Sequence, residues 1–291
     1  MARKGRVMAT LPVLVDAEWL RESMGAADLI IFDATKFLPN QGRNGHDDYR
    51  RSHIPTAIYF DIDAIADQQT NLPHMVPPPG QFAAQLGALG VSNNSRVVFY
   101  DQNSMMWAAR GWWLFRLFGL EAAVLDGGLD AWVRAGGPTE SGEIAPLPAA
   151  SALLTDWRPK YVRGIGDIKD NLISGAELVL DARSAERFAG AAAEPRPGVE
   201  SGRIPGSLNL PFNQVLAANG TLLPPETLRQ RFAAAGIDGS KPVITSCGSG
   251  VSASLLSFAM AVAGLEAAAI YDGSWSEWGS RPDTQKQRDA I

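Results

Sequence analysis

The residues best suited to chemistry lie together in Ser246-Cys247-Gly248-Ser249-Gly250-Val251-Ser252. Cys247 is the only cysteine in 291 residues. It cannot form an internal disulfide, so its use lies with the free thiol. Two glycines within four positions let a backbone curl tightly, with positive φ open to it. The apolar run Val243–Ser246 precedes the cysteine, and a helix-forming run, Ser252–Ala263, follows it. A loop so placed can turn successive N–H groups towards one point, above the positive end of a helix. A thiolate is stabilised there, and a terminal persulfide anion or a developing negative charge is held in the same way. Ser249 and Ser252 add hydroxyl donors at the rim. A lone cysteine is in general a small buried apolar residue. The strand, the two glycines and the helix make this one a candidate nucleophile.

The composition bounds what surrounds this loop. Hydrophobic residues make up 46% of the chain and charged residues 20%, which describes a folded globular protein. A net charge of −5 argues against nucleic-acid or anionic-membrane partners. No apolar run approaches the roughly 18–20 residues of a spanning helix; the densest, Leu255–Leu265, reads as a buried helix. The basic start (Arg3, Lys4, Arg6) is followed by too short an apolar stretch, Leu11–Val15, for a secretory signal, so a cytoplasmic chain is expected. Three histidines and one cysteine argue against a dedicated zinc site.

The elements that must position the loop occur twice. Asp33-Ala34-Thr35, after Leu29–Phe32, returns as Asp181-Ala182-Arg183 after Leu178–Leu180. His53-Ile54-Pro55 returns as Arg203-Ile204-Pro205, and Val97–Tyr100 as Val243–Ser246. Asp126-Gly127-Gly128 with Trp132 returns as Asp272-Gly273-Ser274 with Trp278. Four matches in one order indicate duplication of a whole domain. The expected division is 1–137 for the first copy, 138–160 for a Pro- and Gly-rich linker, and 161–291 for the second. In the second copy strands at Leu178–Leu180, Val243–Ser246 and Ala268–Tyr271 alternate with helices at Pro225–Ala235 and Ser252–Ala263. That alternation predicts an α/β fold, two tandem domains each with a parallel sheet and helices on both faces. Sites in such sheets form at the carboxyl ends of strands, after Tyr100 and Ser246. Asp101 stands where the second copy has Cys247. Its loop, Asp101–Trp107, has no glycine and no nucleophile, so it is expected neither to curl into a cradle nor to do thiol chemistry.

The Cys247–Ser252 loop in the second of two such domains resembles the tandem-domain rhodanese family, and within it the 3-mercaptopyruvate type. The likeness extends over His53-Ile54-Pro55, Phe60-Asp61-Ile62-Asp63, Leu72-Pro73-His74-Met75, Arg110-Gly111-Trp112-Trp113, Asp126-Gly127-Gly128-Leu129, Glu194-Pro195-Arg196-Pro197-Gly198 and Tyr271–Trp275. Thiosulfate-preferring members look like Cys-Arg-Lys-Gly-Val-Thr at the loop, with cations facing a sulfonate. This chain has the Cys-Gly-Ser-Gly-Val pattern, with Ser252 in place of Thr.

The resemblance implies transfer of sulfur from 3-mercaptopyruvate through a persulfide on Cys247. The acceptor would be cyanide, a small thiol or thioredoxin, and no metal or organic cofactor takes part. It places Gly248, Gly250, Val251 and Ser252 around the substrate, and Arg187 and Arg196 on its carboxylate, where a planar guanidinium fits well. It also places His53 at the cleft, in a proton relay with Ser249. Members of the family usually have an acid about ten residues before that histidine. Gly42, Arg43 and Asn44 stand in that region here, so the relay has no named third member. His74 reads as structural, and Arg110 either points at the cleft or pairs with Asp101. Two linked copies already make a cleft, so a monomer is expected. The alternatives are a thiosulfate sulfurtransferase and, in another class, a non-catalytic rhodanese-like binding module. A cysteine phosphatase needs Cys-x5-Arg, and Ala253 stands where that arginine belongs.

Overall fold

The structure is a computed structural model that describes residues 11–38, 41–144 and 152–289. Each half holds a five-stranded, wholly parallel sheet. The first contains β1 (Leu14–Val15), β2 (Leu29–Asp33), β3 (Ile58–Tyr59), β4 (Arg96–Tyr100) and β5 (Ala122–Leu125), in the order β1-β5-β4-β2-β3. The second contains β6 (Val162–Arg163), β7 (Leu178–Asp181), β8 (Leu208–Asn209), β9 (Val243–Ser246) and β10 (Ala269–Tyr271), in the matching order β6-β10-β9-β7-β8. The registers correspond: Asp33 pairs with Tyr100, as Asp181 pairs with Ser246. β4 and β9 are central and almost wholly buried, because Val97, Val98 and Phe99, or Val243 and Ile244, face helices on both sides. The predicted elements recur with shifts of one residue at their ends; the expected Ser252–Ala263 helix runs Val251–Val262.

The two halves share one apolar core. The Met106–Leu117 helix after β4 packs on the Val251–Val262 helix after β9, with Trp112 edge-on to Phe258 at 5.0 Å. Around this pair the halves exchange equivalent bonds. Asp126 Oδ1 accepts from the Leu222 N–H at 2.7 Å, and Asp272 Oδ2 accepts from the Val76 N–H at 2.8 Å. Both partners in the second bond lie 146 residues from their counterparts in the first (272 − 126 and 222 − 76), so the domains face each other as a near-symmetric pair. The connecting stretch is less free than a Pro- and Gly-rich composition suggests. Leu153 is buried, Asn93 bonds the Leu154 backbone twice, and the Asp156 and Arg158 N–H groups donate to Phe118 and Leu117. Pro146 and Pro148 of the expected linker lie outside the described residues, as does the basic start.

Candidate active site

Cys247 is the first residue beyond β9 and is buried, 2% exposed. Three further residues complete the loop, and Gly250 at φ 78° turns it into the following helix. This is a left-handed conformation that glycine adopts without steric cost. The segment after β10 grips the loop from outside. Trp275 N–H donates to Cys247 O and Ser276 N–H to Gly248 O, both at 2.9 Å, while Cys247 N–H donates to Ser274 Oγ. Ser254 Oγ donates to Gly250 O. The loop carbonyls therefore point outward. The N–H groups of Gly248, Ser249 and Gly250 donate to nothing among the described residues.

Two guanidinium groups overhang Gly248. A Cβ there would lie 3.3 Å from Arg187 Nη2 and 3.8 Å from Arg196 Nη1. Arg187 stands on the short Ala185–Ala189 helix and is committed in part to Glu194, at 2.5 and 3.2 Å. The same carboxylate binds the buried Arg183, which is also paired with Asp181. Arg196 has no hydrogen bond or ion pair among the described residues. Burial lowers its pKa, and the nearby Cys247 sulfur partly opposes that shift. Arg187, Arg196, Cys247, Gly248, Ser249, Val251 and Ser252 line one cavity of about 710 Å³. Leu38, Gln41, Asn103, Ser104 and Met106 of the first half close its other wall. Gly250 lies behind the lining.

His53 is not in this cavity. The ring is fully buried in the first half, stacked on Tyr49 at 4.4 Å with Nδ1 2.9 Å from Tyr49 O, and its backbone bridges to Glu140. The expected placement at the cleft is corrected: a histidine after a helix end and before Pro55 is drawn into the local core. His74, read as structural, lies closer to the site than His53: it lines the cavity that adjoins that of Cys247, and is not among the residues lining the cysteine's own. Its Nδ1 lies 2.9 Å from Asp63 Oδ1, and the two cavities share Leu38 and Arg196. Burial lowers the pKa of His74; Asp63 opposes this, and Arg110 and Arg196 reinforce it. Asp63 is itself held at about 2, because His74 and Lys36 outweigh the burial that acts against them.

The Rhodanese-like domain model matches residues 16–135 and 165–281. Over 275 residues the chain is 40% identical to the 3-mercaptopyruvate sulfurtransferase of Homo sapiens, covering 92% of each. It is 40% identical over 296 residues to Thiosulfate/3-mercaptopyruvate sulfurtransferase 1, mitochondrial, of Arabidopsis thaliana, covering 95% of this chain and 78% of that one. The crystal structure of the 3-mercaptopyruvate sulfotransferase SseA from Escherichia coli superposes with a TM-score of 0.82 at 34% identity, over 92% of this chain and 99% of that one. The chain belongs to the rhodanese family.

The first rhodanese-like domain overturns one expectation. Its loop curls without glycine: Met105, at φ 58°, makes the turn that Gly250 makes in the second domain, and the loop is one residue longer. The Asp101 carboxylate fills the resulting cradle. Oδ1 accepts from the Asn103 and Met105 N–H groups, and Oδ2 from those of Trp107 and Ala108, at 3.0–3.1 Å. Arg110 settles between its two alternatives differently again, since it pairs with Asp272 and not with Asp101. Residue types alone did not reveal the first-domain walls or the Asp63–His74 contact. The one available signal was that Asp63 and His74 fall in two segments of the family pattern, 11 residues apart. No helix among the described residues is long and apolar enough to cross a membrane.

Proposed function

We propose that this rhodanese-family protein is a 3-mercaptopyruvate sulfurtransferase with Cys247 as its nucleophile. The observation that carries this reading is the pair of guanidiniums over Gly248, facing the open N–H cradle of Cys247. The substrate carboxylate lies against Arg187 and Arg196, and its sulfur against Cys247. The Cys247 thiolate attacks that sulfur, the carbon–sulfur bond breaks, and its electron pair leaves as the pyruvate enolate. The proton from the substrate thiol balances the step by ending on the enolate carbon. His74, oriented by Asp63 and working through Ser249, is the proposed carrier of that proton. The cradle N–H groups hold the anionic Cys247 persulfide. An acceptor then attacks the outer sulfur, and the sulfur–sulfur bond breaks to return the thiolate. Cyanide would leave as thiocyanate; a small thiol or thioredoxin would leave as the persulfide.

The first domain, taken as residues 1–137, supplies walls and no nucleophile. The working form is taken as a monomer, because both cavity walls come from one chain, and its compartment is proposed to be the cytoplasm. The Arabidopsis relative is named mitochondrial, and imaging of the tagged chain decides the compartment. Thiosulfate is the second substrate to consider, since that relative's name includes it. Steady-state turnover of the two donors with cyanide tests the proposal. Mercaptopyruvate should give the higher kcat/KM by at least about tenfold. Mass spectrometry should find one extra sulfur on the chain, removable by cyanide. Preference for thiosulfate, or no added sulfur with either donor, refutes the reading.

A further inference from the structure

We propose that the buried Arg110–Asp272 pair is a positioning device that sets the His74 segment of the first domain against the Cys247 loop of the second. The proposal rests on the reading of His74 as the proton carrier.

Arg110 comes from the Met106–Leu117 helix and is fully buried. Its Nη2 donates to His74 O at 2.6 Å and to Asp272 Oδ1 at 2.7 Å. Its Nη1 reaches Gly250 O, the last carbonyl of the cysteine loop, at 3.5 Å. The other oxygen of Asp272 accepts from the Val76 N–H. The pair thus holds the segment 74–76 at both ends, by one carbonyl and one N–H. Held between them, His74 has φ 60°, a backbone conformation that non-glycine residues keep only when their surroundings impose it. Gly250 also leaves room for the cation, since a Cβ at that position would lie 3.0 Å from Arg110 Nη1.

The symmetry of the fold argues that the cation serves more than packing. At the fifth position of the equivalent helix, Val251–Val262, the residue is Leu255, equally buried. The Asp126–Leu222 contact on that side forms without an arginine. An apolar residue is therefore sufficient for this helix position and for the exchanged bond. The guanidinium is added only where the two catalytic segments meet, and there it brings the desolvation cost of a buried charge.

The test uses the full chain in three forms, with His74→Asn measured alongside. Arg110→Met/Asp272→Asn removes both charges, so neither is left buried alone. Arg110→Lys keeps the charge, but a point ammonium cannot reach three oxygens in the geometry of a guanidinium. Both are expected to lower kcat with mercaptopyruvate by about 10- to 100-fold, the lysine variant less, and to change KM under about threefold. Both should displace the limb of the pH–kcat/KM profile that His74→Asn abolishes. Alkylation of Cys247 by iodoacetamide, which needs no proton carrier, should stay within about threefold of wild type. A folded double variant, or a lysine variant if the double one does not fold, with wild-type kcat and pH profile overturns the proposal. If His74→Asn itself leaves kcat and the profile unchanged, the reading of His74 fails, and the positioning role fails with it. Loss of alkylation in parallel with turnover would show that the pair supports the cysteine loop alone, and also overturns the proposal.

Discussion

The loops after β4 and β9 are built alike and occupied differently. In the first half a carboxylate, Asp101, occupies the cradle and accepts four backbone N–H bonds. In the second half the corresponding side chain is the shorter thiol of Cys247, and the N–H groups of Gly248, Ser249 and Gly250 are left open among the described residues. The cradle therefore belongs to the fold, and its occupant decides whether it is structure or site. Cations are the second difference. Arg187 and Arg196 face the second cradle, whereas the first is sealed by its own carboxylate.

The largest expected effect separates the two halves. Cys247→Ser should lower turnover of mercaptopyruvate by at least about a thousandfold and abolish the added sulfur mass. Adding Asp101→Cys to that variant should restore nothing, because the first cradle has no guanidinium pair to place a substrate. Recovered turnover in the double variant would show that a cradle and a thiol are sufficient.

Next come the cations themselves. Arg196→Ala should reduce kcat/KM for mercaptopyruvate by about 30- to 1000-fold, which is roughly 2–4 kcal/mol. Arg187→Ala should fall in the lower part of that range, since its guanidinium already shares Glu194. Arg187→Lys should recover only part of the loss. Iodoacetamide alkylation should change by only a few-fold in all three, because the donors around the thiol are backbone. Equal losses of alkylation and turnover would mean that the arginines hold the loop and not the substrate.

A smaller contrast lies within the first half, between its two buried histidines. His74→Asn should lower kcat by about a hundredfold, while His53→Asn should lower the melting temperature and leave kcat within about threefold. The reverse pattern would reinstate His53.

The smallest effect is on stability against pH. Burial depresses the pKa of His74 from its ordinary 6.5. The unfolded chain then binds the proton more readily, so this contribution is present above pH 6.5 and lost as pH falls below it. One such group gives a slope of at most about 1.4 kcal/mol per pH unit. Denaturation midpoints at pH 7 and pH 5 should draw closer together in His74→Asn than in wild type; an unchanged gap rejects the assignment.

Much of the architecture was legible in the sequence because repetition and apolar runs are local signals. Asp33 and Asp181, or Tyr100 and Ser246, could be matched by eye, and their registers follow. The cysteine loop was legible because its glycines and its neighbours lie within seven residues. The first-half cradle was not, because Met105 makes the left-handed turn with its N–H bonded to Asp101, and a methionine carries no mark of that conformation in its residue type. Sequence spacing also could not choose between His53 and His74, since both stand within two residues of a proline in family-like segments. The Tyr49–His53 contact is local, four residues apart at a helix end, but only the tertiary fold shows that the 11-residue segment from Asp63 to His74 closes on itself beside the cleft. Arg110 was ambiguous for a similar reason: its partner lies 162 residues away, across the domain interface.

Cys247 is the sole cysteine of these 291 residues, at the bottom of a cavity walled by both halves. A sulfenic acid formed on it has no second thiol in the chain to condense with, and further oxidation to the sulfinic acid would be irreversible. Repair must come from outside, by a reductant that enters the same cavity as the substrate. These 291 residues hold no resolving cysteine, so reduction of an oxidised Cys247 through a disulfide depends on an external thiol small or slender enough to enter that cavity.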